Sequence, residues 1–318
     1  MHKPPQPDLT DVVRLRHELV ADGFTDHQLT MLVRSGVLHR VRRGAYVDRE
    51  LWERLSPADR HRVVARAVLR RAHPLTALTH VSTIVELGVP VWNIRLDEVH
   101  TTRTDGKGAR REAGVVHHVG ELAEDAVEIV NGVRVGPAAR AAVEVIATAT
   151  PEAALVVANG LLHGKHITRE ELVAAAKAMK HWPHTLSAHR VVAMADARLE
   201  SVAETRTYFM CHTQRLPRPE PQVGVLDERG HEFARVDFAW PELEVFLEFD
   251  GRIKYELYRR KGETLEQFLM REKKREERIC QLTGWICLRI GWADLENPVA
   301  TAARIRNILD SRRRSVGA

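Results

Sequence analysis

The sequence predicts a multidomain chain of mixed α+β and α/β architecture. Three observations carry that expectation. At 318 residues the chain exceeds what one ordinary hydrophobic core organises. Its apolar residues switch repeatedly between helical spacing and short β-prone runs. The C-terminal third holds two strand-like runs, GHEFARVDFAW and LEVFLEFDG, joined tightly at Pro241-Glu242 and followed by a helix and another strand.

Composition narrows the class. A hydrophobic fraction of 44% with 29% charged residues is that of a soluble globular protein. No apolar run approaches the roughly 18 residues of a membrane helix, so no membrane partner is expected. The opening MHKPPQPDLTDVV lacks the apolar centre of a signal peptide, which makes the cytoplasm the expected location. Cys211, Cys280 and Cys287 form no CxxC pair and read as reduced thiols. The net charge of +5 is compatible with a polyanionic partner. Arginines cluster at Arg40, Arg42 and Arg43, at Arg110 and Arg111, and at Arg312, Arg313 and Arg314; the last two clusters read as solvated faces.

Residues 1–50 predict a small DNA-binding module. A first helix is expected over 9–20, where Leu9, Val12, Val13, Leu19 and Val20 fall at helical spacing. Thr25 and Gln28 have capping-box form and start a second helix that closes at Gly36. VLHRVRRGAYV then gives two β-prone runs about Arg42-Arg43-Gly44. Helix, helix and basic hairpin is the order of a winged helix-turn-helix. Such a fold would present His27, Gln28, Thr30, Met31 and Arg34 from the second helix, and His39, Arg40, Arg42 and Arg43 from the wing.

Residues 51–199 read as a mixed α/β region with a helical second half. Ser56-Pro57-Ala58-Asp59 starts a helix, and 76–88 is expected to be another, closed by Gly88. Strands are expected at 98–102 and 114–119, with a hairpin EIVNGVRV turning at Asn131-Gly132. Helices follow at about 137–148, 151–163, 169–180 and 185–199, the third capped by Thr168 and Glu171. The region's histidines fall on different elements and predict no metal site.

The segment TDHQLTMLVRSGVLHRVRRGAYV resembles the N-terminal domain of AbiEi-type antitoxins of type IV toxin–antitoxin systems. The resemblance implies a winged helix that binds promoter DNA, and a toxin system as partner. THVSTIVELGVP and GPAARAAVEVI are similar to the middle region of chains of that kind and imply no site residues.

Residues 200–318 carry the chemistry. Alternation places Glu244, Phe246, Glu248 and Asp250 on one strand face, with Asp237 on the preceding strand able to lie beside them. Charges about 4 Å apart repel by roughly 4 kcal/mol at an effective dielectric near 20. Asp237, Glu248 and Asp250 together therefore call for protonation or a cation. Mg2+ or Mn2+ suits carboxylate oxygens and shares its shell with a phosphate.

VDFAWPELEVFLEFDGRIKY and REKKREERICQLTGWICLRIGWADL resemble the branch of the PD-(D/E)xK endonuclease superfamily related to very-short-patch-repair nucleases. The resemblance implies a restriction-endonuclease-like α/β domain, with Asp237 and Glu248 as metal ligands and Glu204 supporting them from a helix near Ser201. The superfamily's lysine is replaced by Asp250, and Lys254, Lys273 or Arg275 is expected to supply its charge. The expected function is a double-stranded-DNA-binding, Mg2+-dependent endonuclease. The alternatives are a non-enzymatic antitoxin or repressor with a degenerate nuclease fold, and an RNA-directed nuclease.

Overall fold

The computed structural model describes residues 7–108, 112–182, 188–251 and 262–316. Arg110, Arg111 and Lys254 lie outside the described residues. The chain forms two compact units, Met1–Ala195 and Asp196–Ala318. Both mix helices with sheets, three sheets in all among the described residues. None of the described helices is long and apolar enough to cross a membrane.

The first unit opens with β1 (Arg14–Leu15), α1 (Arg16–Ala21), α2 (Asp26–Arg34), β2 (Leu38–Arg42) and β3 (Ala45–Asp48). The strands form an antiparallel sheet in the order β1-β3-β2. The expected helix over 9–20 begins instead at Arg16. Asp8 accepts from the Thr10 amide at 3.0 Å, a local turn that competes with helix, and Glu18 accepts from the Leu15 amide at 2.7 Å at the observed start. Leu9 and Val13 still bury, but from outside the helix. At α2 the reciprocal Thr25–Gln28 cap forms, with Gln28 Oε1 2.8 Å from the Thr25 amide. Thr25→Ala should therefore cost about 1 kcal/mol, read as a shifted urea midpoint at unchanged slope.

Next come α3 (Arg49–Arg54) and α4 (Pro57–Leu69), the latter capped by Ser56 with Pro57 at its first position. The predicted helix over 76–88 divides into β4 (Thr76–Leu78) and α5 (His80–Glu86). A short apolar run is ambiguous between the two states. Here the central place in a five-stranded sheet of order β6-β5-β4-β8-β7 decides it. Its other strands are β5 (Val99–Arg103), β6 (Val115–His118), β7 (Glu128–Val130) and β8 (Val133–Val135). The β7–β8 turn needs positive φ at both central residues, and Asn131 (47°) and Gly132 (77°) supply it. Helices α6 (Ala138–Thr148), α7 (Pro151–His163), α8 (Arg169–Ala178) and α9 (Ala188–Met194) complete the unit, with α6 packed on α5, α7, α8 and α9.

Beneath the β7–β8 turn lies a buried ionic knot absent from the sequence-based expectations. Glu86 is fully buried, with Arg66 Nη1 2.7 Å and Nη2 2.9 Å from its two oxygens, and Arg62 3.4 Å away. Asn131 Nδ2 adds a hydrogen bond at 2.9 Å.

The second unit contains α10 (Val202–Thr213) and a four-stranded sheet of order β12-β11-β10-β9. β9 (Glu220–Leu226), a strand the sequence pattern does not announce, pairs antiparallel with β10 (Glu232–Trp240). β11 (Val245–Asp250) runs antiparallel to β10 and parallel to β12 (Ile286–Gly291). Helix α11 (Leu265–Thr283) ends on Gly284 at φ 70°, and α12 (Trp292–Leu295) and α13 (Pro298–Val316) close the chain. Val225, Val236, Ala239 and Phe246 of the sheet share a core with Ile279 of α11. The cysteines are free thiols, Cys211 buried and the others half-buried.

Candidate functional site

The strand β11 is central, and from Val245 to Phe249 it is buried throughout. Glu244 does not belong to it. That residue ends a tight 3-10 turn at Pro241–Leu243 with φ 53°, and its carboxylate pairs with Arg312.

The antiparallel register Ala239↔Phe246 and Phe238↔Leu247, continued by one position, sets Asp237 opposite Glu248. Residues directly opposite in an antiparallel pair share a face. Asp237 Oδ2 also accepts from the Phe249 amide at 2.8 Å, which fixes the carboxylate at this end of the strand pair.

Glu204 approaches from the first turn of α10. It is buried, and accepts from Ser201 Oγ at 2.6 Å, Gln222 Nε2 at 2.9 Å and the Glu200 amide at 3.0 Å. Burial first, and the charge of Asp237 second, nevertheless raise its carboxyl above the ordinary value of 4.5. A folded-state value raised above the unfolded one contributes stability that is complete below pH 4.5 and lost as pH rises through the folded value. Glu204→Gln should remove that component. Thermal melts of both proteins across pH 4–8 should show the variant gaining on wild type as pH rises. A constant difference between the two curves would contradict the assignment.

Glu248 and Asp250 are paired with arginine. Glu248 receives Arg275 Nη1 at 3.2 Å, and Arg275 also lies 3.7 Å from Glu272. Asp250 is held by Arg289 at 2.6 Å, and Arg289 bridges on to Glu276 at 2.5 Å. Burial alone would lower the Arg289 guanidinium, but Asp250 and Glu276 outweigh it and raise it. Among the residues expected to replace the lysine, Arg275 reaches Glu248. Lys273 is exposed on α11 with no described residue paired to it, and Lys254 is outside the described residues. Among the described residues, no three of these carboxylates bring their oxygens within 4.8 Å of one another.

The predicted DNA-contacting set divides in two. His27, Arg34, Arg40 and Arg43 are exposed, and no described residue pairs with their side chains. Four of the others are occupied. Gln28 is committed to the α2 cap, Thr30 Oγ1 bonds back to the Asp26 carbonyl at 2.8 Å, and Arg42 pairs with Glu112. His39 stacks on Trp52, with ring centroids 4.5 Å apart. Met31 is exposed at 47%.

One grouping escaped the sequence entirely. His80, His100 and His118, scattered along the chain, come together with one ring nitrogen each inside 4.8 Å. The signal lay in the parallel pairing of β5 with β6, which puts His100 and His118 two rungs apart on one face, and residue spacing does not encode strand pairing.

No protein-family model matches the chain. Uncharacterized proteins from two strains of Mycobacterium tuberculosis are each 26% identical to it over 291 residues, covering 91% of this chain and 99% of the relative.

Proposed function

We propose that this protein binds double-stranded DNA through its N-terminal segment and hydrolyses phosphodiester bonds through its C-terminal unit with Mg2+ or Mn2+. In this reading residues 9–47 are a winged helix of the AbiEi kind and residues 200–318 an endonuclease-like domain. The observation that carries it is the like-charge meeting of Glu204 and Asp237, with Asp237 opposite Glu248 on adjoining strands. A carboxylate raised first by burial and then by its neighbour's charge is a place where a divalent cation would relieve repulsion.

The donor set fits a hard cation. Asp237 and Glu248 would hold it, with Glu204 behind them, whereas Asp250 is engaged by Arg289. Held there, the ion would supply Lewis-acid chemistry for phosphodiester hydrolysis. Arg275 stands at Glu248 and is placed to balance phosphate charge as substrate enters. The sheet and α10 hold the carboxylates in place before any substrate arrives. The test is incubation of supercoiled plasmid and linear duplex with the full chain, with and without Mg2+ or Mn2+. Nicking or cutting that requires the ion is expected.

For binding, exposed Arg40 and Arg43 are expected to reach phosphate. Arg40→Ala with Arg43→Ala should weaken binding to all duplex sequences alike, and flatten the slope of log Kd against log salt by about 1 for each phosphate no longer neutralised. A salt slope equal to wild type would remove these arginines from the interface.

A second reading is a non-enzymatic repressor of the antitoxin kind, with a toxin as its partner. Its support is that Arg275 and Arg289 already neutralise Glu248 and Asp250 without any metal. Thermal melts separate the two, because an ion that binds the native state raises the midpoint. A midpoint unmoved by Mg2+ and Mn2+ favours the repressor.

A further inference from the structure

We propose that His80, His100 and His118 form a three-imidazole site for a zinc-class divalent cation, with Glu144 as the positioning carboxylate behind His80. The site lies in the first unit and does not depend on the acidic site of the second.

His100 and His118 stand on neighbouring parallel strands, two rungs apart on one face, and His80 opens α5 beside them. His100 Nδ1 and His118 Nε2 are 2.9 Å apart. The His80 ring lies parallel over His118, centroids 3.6 Å apart at an interplanar angle of 12°. Two imidazole nitrogens on one tetrahedral zinc, each roughly 2.0–2.1 Å from the ion, stand about 3.3 Å apart. The His100–His118 pair therefore needs to open by only about 0.4 Å to embrace one. Imidazole nitrogen is the donor that Zn2+ and its neighbours in the transition series share, and three of them leave a fourth position for water or an anion.

A cluster of neutral core histidines would account for less. It supplies one hydrogen bond, between His100 and His118. It does not explain the His80 backbone, which sits at φ 52° in a region that a bulky residue seldom occupies. Glu144 stabilises that conformation. Its Oε2 accepts from the His80 amide at 2.8 Å and lies 3.2 Å from His80 Nδ1, off the axis of a hydrogen bond, while Arg140 Nε holds Oε1 at 2.8 Å. A carboxylate at one ring nitrogen directs the other toward a metal, the arrangement found behind most metal-binding histidines.

Each neutral imidazole keeps one nitrogen lone pair to offer a cation. On binding, the proton shared between His100 and His118 moves to the far nitrogen of its own ring, so no proton need leave the protein. His100 and His118 are half-buried, which leaves a path of entry. The nearby His61 and His117 are satisfied elsewhere, His61 by the Leu96 carbonyl and Ser82 Oγ, and His117 by Thr101 Oγ1.

The experiment treats the full chain with chelator, removes the chelator, and titrates with Zn2+ by calorimetry and with Co2+ by visible absorption. One equivalent of Zn2+ should bind, and Co2+ should develop the absorption bands of a low-symmetry nitrogen site. Glu144→Gln should weaken Zn2+ by about 10–100-fold. His100→Ala and His118→Ala should each weaken it further, and His118→Gln, closer in size and polarity, provides a second variant if alanine unfolds the unit. His117→Ala and Asp237→Ala should bind Zn2+ as wild type does, the latter separating this site from the acidic one. Absence of stoichiometric Zn2+ binding, or binding unchanged in folded His100 and His118 variants, would overturn the proposal.

Discussion

Glu86→Ala is expected to destabilise the first unit by roughly 3–5 kcal/mol, the cost of leaving buried charge without its partner. Arg62 and Arg66 are nearly as buried as Glu86, at 2% and 3% exposure, and removal of the carboxylate would strand two guanidinium groups out of water. The effect should spread to the β7–β8 turn, because Asn131 Nδ2 bonds to Glu86 and Arg66 Nη2 to the Asn131 carbonyl. For a unit of this size, it corresponds to a fall in Tm on the order of 10 °C. Burial pushes the Glu86 carboxyl up, but the hydrogen bond and charge of Arg66, with help from Asn131 and Arg62, hold it below its ordinary 4.5. The contribution is therefore present above pH 4.5 and lost as pH falls through the folded value. Urea unfolding at pH 7 and in acid measures both claims. A destabilisation under about 1 kcal/mol at pH 7 would mean that water reaches these arginines after all.

On the proposed nuclease reading, Asp237→Ala should reduce ion-dependent DNA cleavage by about a thousandfold, equivalent to roughly 4 kcal/mol of transition-state stabilisation. It should do so without unfolding the sheet. The hydrogen bond from the Phe249 amide to Asp237 lies near the strand end, whereas the core of β10 and β11 rests on Phe238, Ala239, Phe246 and Leu247. Loss of the Asp237 charge also removes the second cause of the raised Glu204 carboxyl. The variant should thus be inactive yet gain little or nothing in Tm from added Mg2+. Cleavage rates under single-turnover conditions, set beside melts with and without the ion, give both readouts. Cleavage at the wild-type rate would place the chemistry elsewhere.

Much of the local structure is legible because it follows short-range rules. The Thr25–Gln28 and Thr168–Glu171 boxes, Ser56-Pro57 and Asn131-Gly132 each specify an element through neighbours within a few residues. What escaped depends on long-range pairing. Thr76–Leu78 is a strand because β5 and β8 flank it, and β9 exists because β10 offers an edge. Asp237 and Glu248 could be read from alternation on adjacent strands, and Arg275 stood among the cations the sequence offered, but the pairing of Arg289 with Asp250 could not be read. Arg275 and Arg289 reach Glu248 and Asp250 across 27 and 39 residues. The same holds for the imidazoles, since His80 and His118 meet only through the sheet.

The hydrophobic cluster beneath β1 and β3 draws Leu9, Val13, Leu15, Ala45 and Val47 from the opening segment, and Leu55, Val63 and Ala67 from beyond it. A fragment stopping at residue 50 would be cut through the middle of its own interior, shedding Leu55, Val63 and Ala67. Peptides of the front segment alone should therefore be poor surrogates for the folded unit in any test of the proposed DNA binding. Exchange of this segment between relatives should succeed only when α4 travels with it.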